Sequence, residues 1–296
     1  MLSLDDLQVF DAVARTGGLS PAARAMGRSP AAVTRSLDRL EGELAARLFH
    51  RSTRVLRLTD EGRRLRGRLP GLFAEVEATR AAVRPDAALR GTLRLTAPTA
   101  FGTLVLPGVL RTLGEAHPAL EVELVLSDRN LDLAQESLDL AVRVGDLGDS
   151  RLLATRLGPE RRFVVASPTY LAAAGTPARP EELAGHRCIG LGGARAWPFR
   201  VGRRRRLVPV PTVVRADLAG LGLEAALAGV GVARLSWWQV REALEAGALV
   251  RLLREHEVGA EGAIAVLHPS RARASPRVKA FVGTLGKAVK AMAPPR

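Results

Sequence analysis

Residues 19–41 read Leu-Ser-Pro-Ala-Ala-Arg-Ala-Met-Gly-Arg-Ser-Pro-Ala-Ala-Val-Thr-Arg-Ser-Leu-Asp-Arg-Leu-Glu, and this stretch decides the N-terminal fold. It predicts two short helices, each with its own start signal. Ser20 and Ser29 are the expected N-caps, with Pro21 and Pro30 at the first helical positions, where a missing N–H costs nothing. Gly27 supplies the turn between them. A tight helix pair with an exposed, partly basic second helix is the pattern of a helix-turn-helix and points to DNA.

The flanks extend the pattern. Leu4, Leu7, Val9, Phe10, Val13 and Ala14 recur at helical spacing, predicting an amphipathic helix that ends at Gly17 and Gly18. Leu48-Phe49 and Val55-Leu56-Arg57-Leu58 flank a basic, turn-forming loop from His50 to Arg54, which predicts a β-hairpin wing. Thr59 is placed to cap another helix, with Asp60 and Glu61 in its first turn, where the helix dipole favours them. That helix is expected to run to about Val83. Leu65, Leu69, Leu72, Val76 and Val83 lie near a heptad seam, which suits pairing with a second chain or packing on its own domain. Pro70 interrupts it, so a bend or break is expected there.

Charge supports an anionic partner. The 296 residues carry 44 Lys and Arg against 30 Asp and Glu, a net +14. Twelve arginines and five acids fall between Arg24 and Arg68, beside the helix pair, where a phosphate backbone would lie. The hydrophobic fraction of 47% and a mean hydropathy of +0.07 describe a globular chain, and the length suggests two or three domains. The single cysteine, Cys188, excludes an intrachain disulfide or a thiolate metal cluster. No signal-peptide pattern and no run of ~18 apolar residues occurs, so a cytoplasmic location is expected.

After a linker at 85–90, short β runs alternate with helices: 92–96, 104–115, 120–126, 131–137 and 140–144. A second set begins at 162–166. It continues through a hairpin around 202–206, a helix at 218–227, a strand at 230–234, a helix at 237–246, a strand at 264–267 and a last helix at 276–292. This alternation predicts a largely parallel α/β sheet in two halves, joined by crossing strands around a cleft.

The chain resembles LysR-type transcriptional regulators over essentially its full length. The resemblance rests on Leu7-Gln8-Val9-Phe10 with residues 14–23, on residues 29–41 as recognition helix, and on residues 48–54 with 58–62 as wing and linker-helix start. In the C-terminal part it rests on residues 91–98, 138–145 and 228–235. It implies a multidomain α/β protein: a winged helix-turn-helix at 1–59, a linker helix at 60–84, a hinge at 85–90 and an effector-binding domain at 91–296. Within that domain, a periplasmic-binding-protein-like pair of subdomains is expected, I at about 91–161 and 266–296, II at about 162–265. Pro70, the arginine run at 203–206 and the bulky pair Trp237-Trp238 depart from the pattern.

The recognition helix is expected to enter the major groove N-terminal end first, with Ser29, Pro30, Ala31, Thr34 and Arg35 nearest the bases. Arg35 and Arg39 suit either base or backbone contact, while Val33, Leu37 and Leu40 suit the core. Arg51 and Arg54 in the wing suit phosphate or the minor groove, or a solvated turn. In the effector cleft, Thr99 at a strand-to-helix junction is a candidate seat for a carboxylate or a plain N-cap. Arg143 is a candidate counter-charge or a structural ion-pair partner, and Ala100, Phe101, Ala166 and Gly231 are candidate wall residues. The arginine run reads as a solvated hairpin rather than a second nucleic-acid site.

The expected partners are promoter DNA, a small-molecule effector and further copies of the chain as homodimer or homotetramer, with no membrane, cofactor or metal. The alternative is an enzyme carrying a DNA-binding head. Against it, the five histidines are scattered, and neither a Gly-x-Ser-x-Gly turn nor a phosphate-binding glycine loop occurs. Cys188 follows His186 by two residues, read as opposite strand faces and therefore a poor dyad.

Overall fold

A computed structural model describes residues 2–50, 56–83, 89–148, 152–216, 219–269 and 275–292. The chain divides into two compact units. The first holds Met1–Leu89, Leu131–Leu140 and His268–Lys279; the second holds Arg90–Asn130, Ala141–Leu267 and Ala280–Arg296.

The first unit opens with α1 (Leu4–Thr16), α2 (Leu19–Ala25) and α3 (Pro30–Leu44). Gly17 ends α1 at φ 71°, and Gly27 makes the turn before α3 at φ 62°, a backbone region that glycine enters freely. Ser29 caps α3 as expected, its hydroxyl accepting the Ala32 N–H at 3.2 Å with Pro30 at the first position. Ser20 is not a cap. Helix α2 begins two residues earlier than expected, behind Gly18, which puts Ser20 and Pro21 inside the first turn. That turn has no carbonyl partners for its N–H groups, so a proline is tolerated there too.

The wing forms as read: β1 (Phe49–His50) pairs antiparallel with β2 (Arg57–Leu58). Its tip, with Arg51 and Arg54, lies outside the described residues. Thr59 caps α4 (Asp60–Arg66), its Oγ1 accepting the Gly62 N–H at 3.0 Å. The expected long helix breaks at Gly67 and Arg68 and resumes as α5 (Leu69–Val83). Pro70 lacks the N–H that would bond the Arg66 carbonyl and its ring would crowd that carbonyl, so the break falls one turn before it. Phe10 and Phe49 rings meet at 5.3 Å in a core shared with Leu7, Val33, Leu37, Leu40 and Leu69. Of the seam residues, Leu69 is therefore core, whereas Leu72 is exposed.

The second unit is built on one nine-stranded mixed sheet. Chain order runs β3 (Gly91–Ala97), α6 (Thr99–Leu104), α7 (Leu106–Ala116), β4 (Leu120–Leu126), β5 (Leu140–Gly145), β6 (Leu153–Ala166) and α8 (Pro168–Ala174). A 3-10 turn (Pro180–Gly185) leads to β7 (Cys188–Leu191), β8 (Ala196–Val201), β9 (Arg204–Pro209), β10 (Thr212–Ala216), α9 (Ala219–Leu227) and β11 (Val232–Ser236). Then come α10 (Trp237–Glu245), β12 (Val250–Leu252), β13 (Ala260–His268) and α11 (Pro276–Ala291). The sheet order is β10-β7-β11-β6-β13-β5-β3-β4, with β12 also on β6. Strands β8 and β9 form a separate antiparallel hairpin.

Two sequence expectations need correction here. The sheet is mixed, not largely parallel: β3/β4, β7/β10 and β7/β11 are parallel, whereas β6/β11, β6/β12 and β5/β13 are antiparallel. A chain that crosses to the second half and returns must reverse direction where the halves meet. Residues 131–137 form turns, not a helix: the Asp132 carboxylate accepts the Ala134 and Gln135 N–H groups at 2.8 and 3.1 Å, and Ser137 turns at φ 54°. Asp132 thus caps a single turn, closed by the Glu136 N–H on the Asp132 carbonyl at 3.0 Å, and the left-handed backbone at Ser137 stops it from extending.

Candidate nucleic-acid interface and effector cleft

Helix α3 presents two unlike faces. Val33, Leu37 and Leu40 are buried, as expected, while Ser29, Pro30, Ala31 and Arg35 are exposed and Thr34 is half-buried. The Thr34 hydroxyl donates to the Pro30 carbonyl at 3.0 Å, which leaves its methyl and lone pairs outward. No carboxylate of the described residues pairs with Arg35. The exposed leading end is small, polar and cationic, a shape that suits a major groove.

Arg39 behaves differently. Its guanidinium grips the buried Asp6 of α1 through Nη2 at 2.6 Å and Nε at 3.2 Å, and bonds Ser36 at 3.1 Å. Arg28 makes a matching fork on Asp5, at 2.8 and 2.5 Å, and holds that carboxyl below the usual range. Two adjacent acids of α1 thus clamp the turn before α3 and its third turn, fixing the angle at which α3 is offered. In sequence, Asp5 and Asp6 look like ordinary first-turn acids; their partners lie 23 and 33 residues away.

Glu41 fixes the wing. Its buried carboxylate accepts the Leu48 and Phe49 N–H groups at 2.8 and 3.4 Å and an Arg47 N–H at 2.7 Å. Burial pushes its pKa up, but these donors outweigh burial and hold it below the usual carboxylate range.

In the second unit, β7 and β10 run parallel and end together, Leu191 beside Ala216; ligands of open α/β sheets generally bind outside such carboxyl ends. Ala166 and Gly231 lie at the opposite end. Val232 pairs with Cys188, the first residue of β7, and Ala233 with Val165. A Cβ on Gly231 would stand 2.3 Å from the Arg187 carbonyl oxygen, so this glycine serves packing. Ala100 and Phe101 are buried, and the Phe101 ring meets Trp238 edge-on at 5.1 Å; they pack α6 rather than line an open wall.

Pro98, not Thr99, occupies the cap position of α6, and the Thr99 N–H donates to the Asp128 carboxylate at 3.1 Å. The chain's own acid fills the anion seat anticipated there. Arg143, near the end of β5, is half-buried; burial pushes its pKa down, and no carboxylate of the described residues pairs with it. One polar group escaped the sequence reading entirely. Glu160 of β6 is fully buried, accepts the Ser236 hydroxyl and the Trp238 Nε1–H (3.2 Å), and lies at the β11 end nearest the cleft.

Comparison with known proteins decides the family. The family described as bacterial regulatory helix-turn-helix protein, lysR family, matches residues 4–63, and the LysR substrate binding domain matches residues 86–290. The chain belongs to the LysR family of transcriptional regulators. The probable HTH-type transcriptional regulator LtrA of Klebsiella pneumoniae is 32% identical, covering 98% of this chain and 96% of that protein. The HTH-type transcriptional regulator PtxR of Pseudomonas aeruginosa is 33% identical, covering 96% and 92%. Among solved structures, the LysR-type regulator CrgA of Neisseria meningitidis superposes with a TM-score of 0.64 at 28% identity, over 99% of this chain and 100% of that one.

As a LysR-type regulator, the chain combines a DNA-binding head with an effector-binding domain. No helix of the described residues is long and apolar enough to cross a membrane, and no cluster of three or more His, Cys, Asp or Glu among them could hold a metal.

The Cys188–His186 pair fails as a dyad, though not for the expected reason, since residues two apart on a strand share a face. His186 precedes β7, and its Nδ1 lies 3.2 Å from the Tyr170 hydroxyl, which also accepts the Arg187 N–H at 2.9 Å. Cys188 itself is fully buried and its thiol is pushed up to about 12. At pH 7 only about one molecule in 10⁵ would carry the reactive thiolate. A thiol reagent such as dithionitrobenzoate should therefore label this regulator only at the rate of unfolding; labelling of native protein within seconds would contradict the assignment.

Proposed function

We propose that this regulator reads operator DNA through the exposed leading end of α3, with Ser29, Pro30, Ala31, Thr34 and Arg35 toward the bases and Arg51 and Arg54 on phosphate or in the minor groove. Arg39 acts as a positioning residue through Asp6. The observation that carries the reading is the two-faced α3, whose buried side is locked to α1 while Arg35 on its exposed side pairs with no carboxylate of the described residues. Effector enters the cleft near the carboxyl ends of β3 and β5, where the Thr99 hydroxyl is available. The uncompensated Arg143 favours a carboxylate or similar anion. A homodimer or homotetramer in the cytoplasm places two heads on a dyad-symmetric site, and effector shifts their relative placement. The domain boundaries are those inferred from the sequence, with the linker helix broken before Pro70. No catalytic role is assigned.

Two substitutions separate the contact types. Arg54→Ala should weaken binding to all sequences alike and reduce the salt dependence by about one unit of slope. Thr34→Val should change the ranking of operators instead. Titrations over a range of salt and operator variants test both: an unchanged slope excludes Arg54 from phosphate, and uniform loss from Thr34→Val excludes base reading.

A further inference from the structure

The arginine run at 203–206 has no place in DNA reading or in the cleft, yet one member reaches the crossing strands. Arg205, on the β8–β9 hairpin, lies 3.9 Å from the Glu261 carboxylate of β13. Glu261 is already ion-paired to Arg234 of β11; the two side chains are only 11% and 7% exposed. On β6, the Arg162 Nε lies 3.6 Å from Glu160. Three guanidiniums from three elements therefore share two carboxylates.

One of those carboxylates is already engaged elsewhere. Glu160 is spent on Ser236 and Trp238, and burial pushes its pKa up. The nearby Arg251 and Glu257 neutralise each other through a fork of 2.6 and 2.7 Å. The cluster is left with excess positive charge, and burial together with Arg162 and Arg205 depresses Arg234 to about 10. Arg162 and Arg205 remain partly in solvent, at 43% and 64% exposure, which hydrates the excess charge and leaves both guanidiniums accessible.

Space lies beside it. The Arg162 Nη2 sits 3.7 Å from where a Cβ on Gly145 would stand, and Gly145 borders a cavity of about 320 Å³ with Asp146, Gly148, Arg156 and Gly262; the cavity adjoins the cluster through Gly145, and none of the three arginines lines it. The Asp146 carboxylate accepts the Gly148 N–H at 3.2 Å. The volume suits a small ligand, and forked guanidiniums match the oxygen pairs of carboxylates and phosphates.

We propose that Arg162, Arg205 and Arg234 form a binding site for the oxyanion group of a small molecule, supplied by the hairpin and crossing strands and separate from the Thr99 side of the effector cleft. The hairpin supplies Arg205, so ligand here draws the hairpin onto β13. Arg162 and Arg205 are the direct ligands, and the buried Arg234 raises the local potential.

Titration calorimetry of the full chain with inorganic phosphate and, separately, with malonate, in buffers matched in ionic strength with chloride, tests the site. Malonate binding stronger than phosphate binding identifies a carboxylate site, and the reverse a phosphate site. The double variant Arg162→Gln/Arg205→Gln should lose at least about tenfold in affinity for the preferred anion, because charged hydrogen bonds are removed at solvent-accessible positions. Thr99→Ala should retain that affinity; if the cleft reading alone fails, this result is untouched. Equal affinity in wild type and double variant would overturn the proposal, because the anion would then sit on the basic N-terminal region. So would the absence of binding of both probes to wild type.

Discussion

Replacing Gly62 by alanine should unfold the DNA-binding head at a temperature roughly 12 °C or more below wild type, a loss of about 3 kcal/mol. Helix propensity alone argues the reverse, since alanine in place of glycine within a helix is worth about 1 kcal/mol. Geometry decides against propensity. A Cβ on Gly62 would stand 2.2 Å from the Leu48 carbonyl oxygen, 3.1 Å from its carbon and 2.9 Å from a Leu58 methyl. The Leu48 carbonyl cannot retreat freely, because it accepts the Thr59 N–H at 3.0 Å at the base of the wing. Relief therefore means opening the wing from α4 or breaking the Thr59 cap. Gly67→Ala is the control: its Cβ would meet nothing nearer than 3.6 Å, and its φ of −65° suits any residue. Calorimetry of the full chain should show the low-temperature transition for Gly62→Ala alone; a raised melting temperature would contradict the packing.

The second large effect is expected at Glu41. Glu41→Ala strands the buried Leu48 and Phe49 N–H groups and frees Arg47, a loss of about 2–4 kcal/mol. Glu41→Gln keeps one acceptor but no charge and should fall between. The charge gives the effect a pH signature. Because the folded pKa is depressed below the ordinary 4.5, the wild-type advantage over Glu41→Gln is fully present above that value. It declines as pH falls through the lowered folded value. Denaturant unfolding of both proteins at neutral pH and through the acid range measures this difference. A difference independent of pH would mean that Glu41 acts through shape and not charge.

Both residues fall within the stretches whose family pattern is legible, yet neither role is. Local signals read well: the Ser29 and Thr59 caps, the Gly17 and Gly27 turns, the wing and the break before Pro70 follow from nearest-neighbour chemistry. Roles set by distant partners do not. Arg39 looks like a DNA contact until Asp6, 33 residues away, takes it. Glu160 and Ser236 meet across 76 residues. Ala166 and Gly231 lie at the end of their sheet opposite Leu191 and Ala216, because strand order and direction, not composition, set which residues share an end. Thr99 shows the same limit: Asp128, on another loop, accepts the N–H that its helix offers and leaves only the hydroxyl to the cleft.

The central claim is sequence-specific DNA reading by a paired head. Capture of sheared genomic fragments by the purified full chain, at about physiological salt and followed by sequencing, tests it most directly. The account predicts recovery of a few promoters carrying dyad-symmetric sites, with half-sites about 34–36 Å or a multiple of that apart. Retention of fragments without common sequence, or of none, would contradict it.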